Sequence, residues 1–281
     1  MSMKYISYLK KASLSLVLIG AILLTSCQTA SKPKKQNYSA QFFTYFDTVS
    51  EIKVYDMELD SFNEVKKLIE KDLKTYHELY DIYHTYEGMV NIYDLNSKAG
   101  QGPQKVDEKI IDMLTFSKQV YELSQGKVNI AMGSVLKIWH DHREEAKENP
   151  DKASLPNLDE LKEANRHTDI KNLLIDKENK TVELTDPAMR LDVGAIAKGY
   201  ATERIAQKLE ELGYSGILLN IGGNIRTVGY KNVEEGLWTI GIDNPVEETG
   251  KSDAYTDRVR VGPGAVVTSG LYQRYFIYEG K

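Results

Sequence analysis

The chain has 281 residues, a formal net charge of −5 and 41% hydrophobic residues, enough to bury a sizeable core in one large domain or two small ones. The acidic balance excludes a dedicated nucleic-acid binder, because neutralising phosphates takes a basic face. No self-similarity at about 20–50 residues marks a repeat solenoid, and a single cysteine leaves no disulfide to staple the fold.

The N-terminus reads as an export signal. Lys4, Lys10 and Lys11 precede the uncharged apolar run Ala12 to Leu24, which is shorter than the roughly 20 residues that a bilayer-spanning helix needs. The sole cysteine, Cys27, follows Leu24-Thr25-Ser26. That arrangement resembles the lipobox of bacterial lipoproteins, which implies residues 1–27 as signal, acylation of Cys27 and lipid anchoring on the exported side of a bacterial cell membrane. More than one acyl chain gives stable attachment where a single chain is marginal. Residues 28–40 are polar and lysine-bearing and read as a flexible tether, leaving 41–281 as the folded part.

Phe42 to Tyr55 predicts strands, with a hairpin around Asp47 to Glu51. Phe62, Val65, Leu68, Ile69, Leu73 and Tyr76 recur at helical spacing over Ser61 to Tyr80. Tyr83 to Gly102 reads as a polar loop. A second amphipathic helix is predicted over Asp107 to Leu123, with Asp107 as N-cap and Gly126 near its stop. His140 to Asn157 is charged, contains two prolines and reads as an exposed loop, and Leu158 to Asn165 as a short helix. Leu173 to Ile175 and Thr181 to Leu184 read as strands, Ile196 to Leu212 as a helix stopped by Gly213, and Ile217 to Ile221 as an apolar strand. Further strands are expected at Trp238 to Ile242, Arg258 to Val261, Ala265 to Val267 and Tyr272 to Tyr278. Helices and strands alternate without a βαβ rhythm, so the fold class is α+β, with mixed, mainly antiparallel sheets packed against helices.

The densest chemistry lies in Leu191 to Ala201. Asp192 precedes a helix start, Gly194 permits close backbone approach, and Lys198 adds a cation. Such a helix start suits a diphosphate, and a turn carbonyl suits a hard cation such as Mg²⁺. The same residues equally fit an N-cap aspartate, a turn glycine and a solvated lysine. Gly222 and Gly223 end an apolar strand, which fits either a turn or a backbone packed against a ligand or another strand. Gly264 to Gly270 ends in small hydroxyl residues. The five histidines form no metal pattern, and His140 and His142 read as surface residues.

Three stretches in order carry a family resemblance. Leu191 to Ala201 resembles the Asp-Leu-Gly-Gly-Ile-Ala-Lys-Gly-Tyr-Ala signature of the ApbE flavin transferases. Asn220-Ile221-Gly222-Gly223-Asn224 is similar to that family's glycine strand, and Thr268 to Phe276 to its Thr-Ser-Gly-x-Tyr-x-Arg-Tyr-Phe segment. Phe46-Asp47-Thr48 stands where members have Met-Gly-Thr, and Asp81-Ile82-Tyr83 at an early Tyr-bearing loop. The resemblance implies a T-fold-like α+β domain that, with Mg²⁺, transfers the FMN half of FAD to a threonine hydroxyl of an exported or membrane flavoprotein, releasing AMP. It implies FAD contacts at Phe46, Tyr83, Asp192 and Lys198, and Mg²⁺ ligation by the Ala195 carbonyl. Lys127, Val128 and Asn129 align with a further FAD-contacting segment, where Asn129 replaces the family's aspartate. No catalytic residue is assigned. A later His-bearing segment and an Asp-centred metal segment of the family have no counterpart before Lys281, so a C-terminally truncated chain with weak Mg²⁺ binding is expected. The alternatives are a lipoprotein that binds or hydrolyses FAD without transfer, and a non-enzymatic lipoprotein that binds a solute or partner.

Overall fold

Two adjacent left-handed residues at the tip of the first hairpin set the geometry of one wall of the site. Strands β1 (Gln36–Tyr45) and β2 (Thr48–Met57) pair antiparallel, with Tyr45 opposite Thr48. Phe46 and Asp47 between them have φ of 57° and 51°. Positive φ at both central residues is the two-residue turn whose twist matches the flanking strands. The computed structural model describes residues 34–232, 236–244, 255–270 and 275–280. The expected export signal, Cys27 and tether residues 28–33 lie outside them. Strand β1 already begins at Gln36, inside the expected tether. Its pairing supplies the order: Ala40 faces Ile52 and Phe42 faces Ser50, while Gln36, Ser39 and Gln41 point outward.

Helix α1 (Leu59–Tyr80) buries Phe62, Val65, Ile69, Leu73 and Tyr76, the predicted stripe. Helix α2 (Ile92–Ser97) replaces part of the expected loop. A capping box starts it: Asp94 N–H donates to Asn91 Oδ1 at 3.0 Å, and Asn91 N–H donates to the Asp94 carboxylate at 3.1 Å. After the short β3 (Gln104–Lys105), helix α3 (Glu108–Leu123) opens on Asp107, whose carboxylate accepts from Lys109 N–H at 2.8 Å.

Helix α4 (Gly133–Glu148) runs through the segment expected to be an exposed loop. Only Gly133 and Ala146 are buried along it, so its sequence carries almost no apolar stripe. It nevertheless contains neither proline nor a second glycine, and it ends at Asn149, whose backbone is turned out of the helical region ahead of Pro150. Helix α5 (Leu158–Asn165), strands β4 (Leu173–Asp176) and β5 (Thr181–Leu184), helix α6 (Ala197–Glu211) and strand β6 (Ile217–Ile221) follow near their predicted bounds. Then come β7 (Asn224–Val228), β8 (Trp238–Asp243), β9 (Tyr255–Val261) and β10 (Gly264–Val267). Tyr275 to Tyr278 is not a strand: none of these residues pairs with a neighbouring strand. Residues 272–274 of that expected strand lie outside the described ones.

The largest sheet runs β1-β2-β6-β7-β10, with every neighbouring pair antiparallel. A three-stranded sheet, β3-β5-β4, and the pair β8-β9 are also antiparallel. Helix α1 packs on β1 and β2, α6 packs on β6 and β7, and the two helices touch. Between them lies a core that includes Ile52, Ile69, Leu73, Ile205, Leu209 and Leu219, all fully buried. Each such side chain contributes about 1.5–3 kcal/mol by leaving water. This is the expected mainly antiparallel α+β architecture, and it brings the first hairpin, the end of α1 and the start of α6 to one edge. Among the described residues no helix is long and apolar enough to cross a membrane.

Candidate functional site

The turn entering α6 is held by three separate segments. Leu191 N–H donates to Asn96 Oδ1 at 2.6 Å, and Asn96 Nδ2 donates back to the Leu191 carbonyl at 2.9 Å. Asp192 N–H donates to the Ile130 carbonyl at 2.8 Å, and Gly133 N–H to the Arg190 carbonyl at 3.1 Å. A Cβ on Gly133 would lie 2.5 Å from the Arg190 carbonyl oxygen, so only glycine permits this crossing. Asp192 Oδ1 accepts from Gly194 N–H at 2.8 Å. Asp192 is therefore not the cap of α6. That helix starts behind Ile196 and has no side-chain cap.

Four of the expected site residues meet here. A cavity of about 300 Å³ is lined by Phe46 from the hairpin tip, Tyr83 from the loop after α1, and Asp192 and Lys198 from the α6 entry, together with His77 and Asp81. A neighbouring cavity of about 190 Å³ shares Ile82, Tyr83 and Asp192 with it and adds Arg190, Lys137 and His140. The Tyr83 and His140 rings lie 5.2 Å apart and are tilted by 32°. His140, expected in a surface loop, is thus carried by α4 to the rim of the site.

Asp81 organises the loop that presents Tyr83. Its Oδ1 accepts from Tyr83 N–H at 2.6 Å and from His84 N–H at 3.2 Å, and its Oδ2 from the Tyr86 hydroxyl at 2.8 Å. His84 Nδ1 adds a fourth contact at 3.1 Å. Burial alone would raise the Asp81 pKa, but the bonds from Tyr83, Tyr86 and His84 outweigh it and hold the carboxyl below its usual range. Burial and the bond to Asp81 push the Tyr86 phenol up, so it stays a donor. Tyr86 spends its one proton on Asp81, so the 3.3 Å contact to His77 Nε2 is a donation from the imidazole. His77 Nδ1 is then free of a proton and accepts from Phe46 N–H at 3.2 Å. The hairpin tip, α1 and the Tyr83 loop form one hydrogen-bonded wall.

The remaining expected residues lie elsewhere. Val128 and Ala195 line a groove of about 750 Å³ with Phe116 and Tyr200, and this groove shares no lining residue with the Asp192 cavity. Asn129 uses its side chain structurally, donating to the Thr168 carbonyl and accepting from Ala131 N–H, each at 2.9 Å. Lys127 lines none of these cavities. Gly222 and Gly223 form the β6–β7 turn: their φ values are 55° and 85°, and a Cβ on Gly222 would lie within 2.8 Å of three Thr48 side-chain atoms. Thr268 joins that turn through its N–H, which donates to the Gly223 carbonyl at 3.2 Å.

Aromatic faces beside a lysine at a helix start suit a ring-bearing phosphate ester such as FAD. For Mg²⁺ the fit is incomplete, because among the described residues no group of three His, Cys, Asp or Glu side chains gathers around a common point. His77, Asp81, Tyr86 and Asn96 are site residues that the sequence does not single out by role. The one local sign is Asp81 placed ahead of Tyr83 and His84, a spacing that lets an aspartate accept from the backbone two residues on.

An ApbE family model matches residues 46–281, well over half of the chain. The FAD:protein FMN transferase of Klebsiella pneumoniae (strain 342) is 27% identical over 226 residues, covering 76% of this chain and 65% of that protein. The FAD:protein FMN transferase of Treponema pallidum (strain Nichols) is 33% identical over 198 residues, covering 66% of this chain and 52% of that one. The chain thus spans less than two thirds of the length of either relative. The crystal structure of the ApbE protein from Thermotoga maritima superposes with a TM-score of 0.71 at 27% identity, covering 88% of this chain and 74% of that one. The flavin transferase ApbE from Vibrio cholerae, at 19% identity and a TM-score of 0.68 over 87% of this chain and 74% of its own, supports the fold.

Proposed function

This chain belongs to the ApbE family, and on that premise we propose that it is an FAD:protein FMN transferase. The observation that carries the proposal is the convergence of Phe46, Tyr83, Asp192 and Lys198, from separate parts of the chain, on one cavity. Curated relatives named as FAD:protein FMN transferases support the same reading.

In the proposed reaction FAD is the substrate and the acceptor is a threonine hydroxyl of an exported or membrane flavoprotein. The hydroxyl oxygen attacks the phosphorus of the FMN half, the diphosphate P–O bond breaks, AMP leaves and the hydroxyl proton passes to a base. Lys198, in the first turn of α6, offsets charge on the phosphates, and the dipole of that helix adds to it. Tyr83 and Phe46 offer ring faces. Asp192 is fixed at the junction of the two cavities. Mg²⁺ supplies Lewis-acid stabilisation of the phosphates when bound. The expected ligand Ala195 lines the separate groove, so the residues of this cavity alone leave the Mg²⁺ site incomplete.

The test is to mix the protein with FAD, Mg²⁺ and a threonine-bearing acceptor peptide. Flavin fluorescence that stays on the denatured peptide, with release of AMP, is expected. Free FMN and AMP without labelled peptide would instead identify an FAD hydrolase. We further propose acylation at Cys27 and anchoring on the exported side of the membrane, supported by Leu24-Thr25-Ser26-Cys27. Mass spectrometry of the N-terminal peptide tests it: acyl chains on Cys27 are expected, and an unmodified Cys27 would overturn that assignment.

A further inference from the structure

We propose that Asn96 is a positioning residue for Asp192, a role resting on the reading of this cavity as an FAD site. Asn96 sits at the end of α2 with 6% of its surface exposed. It is 95 residues from Leu191 in sequence and holds that residue from both sides: Oδ1 takes the Leu191 N–H and Nδ2 gives to the Leu191 carbonyl. An amide pairing with both polar groups of one residue replaces a missing strand neighbour. Among the described residues Leu191 makes no backbone–backbone bond, whereas Asp192 N–H reaches Ile130 and the Arg190 carbonyl reaches Gly133. Among the described residues Asn96 is thus the one side chain that ties the Arg190–Asp192 backbone, beside the Ile130 and Gly133 backbone ties, and substitution can remove it without touching those two.

The tie bears on the ligand because, among the described residues, the Asp192 carboxylate is held by Gly194 N–H alone. Loss of the Leu191 pair frees the peptide that sets the direction of the Asp192 side chain. A group held off its productive place by about 0.5 Å or more no longer serves a preorganised site. Asn96 also lines the neighbouring cavity, but its carbonyl oxygen and one amide proton are committed to Leu191, so its action on the ligand runs through Asp192.

The experiment uses the full chain and FAD as the probe. Asn96→Leu keeps the shape and removes both bonds. Asn96→Asp keeps an acceptor for Leu191 N–H and sets an oxygen against the Leu191 carbonyl. Val182→Ala, at a fully buried site in β5, is the control for lost stability alone. Flavin fluorescence titration gives affinity, and amide hydrogen exchange at Gly194 reports whether the Asp192 carboxylate is still in place. Both Asn96 variants are expected to bind FAD about tenfold more weakly and to lose Gly194 protection by about the same factor, while Val182→Ala stays within about twofold in both. The role is overturned if either folded Asn96 variant keeps wild-type Gly194 protection and affinity, or if Val182→Ala moves both as far. If the wild-type chain does not bind FAD, the FAD reading fails, and Gly194 exchange alone still decides whether Asn96 sets Asp192.

Discussion

Replacing Asp81 by asparagine tests the construction of the Tyr83 wall. The carboxylate is buried and collects donors from Tyr83, His84 and Tyr86. Asparagine is nearly the same size but has one acceptor oxygen, and it turns an NH₂ group towards donors. The His84 ring is 75% exposed, so its contact adds little. The loss falls on the two backbone N–H groups and the Tyr86 hydroxyl. Hydrogen bonds to a charged group contribute about 1.5–3 kcal/mol each, and with one acceptor retained and some rehydration the expected loss is about 2–4 kcal/mol. The pH dependence follows from the sign of the shift. The folded carboxyl lies below its ordinary 3.8, so its stabilisation is complete above that value and is lost as pH falls through the folded pKa. Urea unfolding of wild type and Asp81→Asn should therefore differ by a constant amount at neutral pH and converge in acid. A difference at pH 7 below about 0.5 kcal/mol, or one that widens in acid, would refute the organising role of Asp81.

Gly133→Ala places a methyl 2.5 Å from the Arg190 carbonyl oxygen, so about 1–3 kcal/mol of stability should be lost together with FAD affinity, read by thermal melts and flavin titration. Gly222→Ala combines a φ of +55° with a clash on Thr48 and should cost a similar amount. Thr48→Ala in the same chain should recover part of that loss while leaving FAD affinity near wild type, because Gly222 does not line the cavity. Lys198→Met should weaken FAD binding about tenfold and flatten its salt dependence, since the lost term is charge on phosphate.

Much of the scaffold is legible in the sequence because it rests on local rules. The α3 boundaries follow from the Asp107 cap and the apolar spacing, and β6 from its apolar run Ile217 to Ile221, of which Ile217, Leu219 and Ile221 are buried. Helix α4 is not legible that way. It buries so little that periodicity is silent, and charge density imitates a loop. Strand β1 is hidden for the opposite reason, since its polar N-terminal half is ordered by a partner strand and not by its own composition. At the site, Phe46, Tyr83, Asp192 and Lys198 follow from motif resemblance, and they do converge. Val128 and Ala195 face a different groove, and Asn129 is committed to the Thr168 carbonyl and Ala131 N–H. His77 and Asn96 act through contacts 31 and 95 residues away, which no local pattern encodes.

We propose one cavity, bounded by the first hairpin, the Tyr83 loop and the α6 entry, as the place where FAD binds. A crystal of the full chain soaked with FAD tests it most directly. Density for the dinucleotide is expected in contact with Tyr83, Asp192 and Lys198, with Phe46 against a ring. FAD bound in the Val128 and Ala195 groove without touching these residues, or no FAD at saturating concentration, would contradict it.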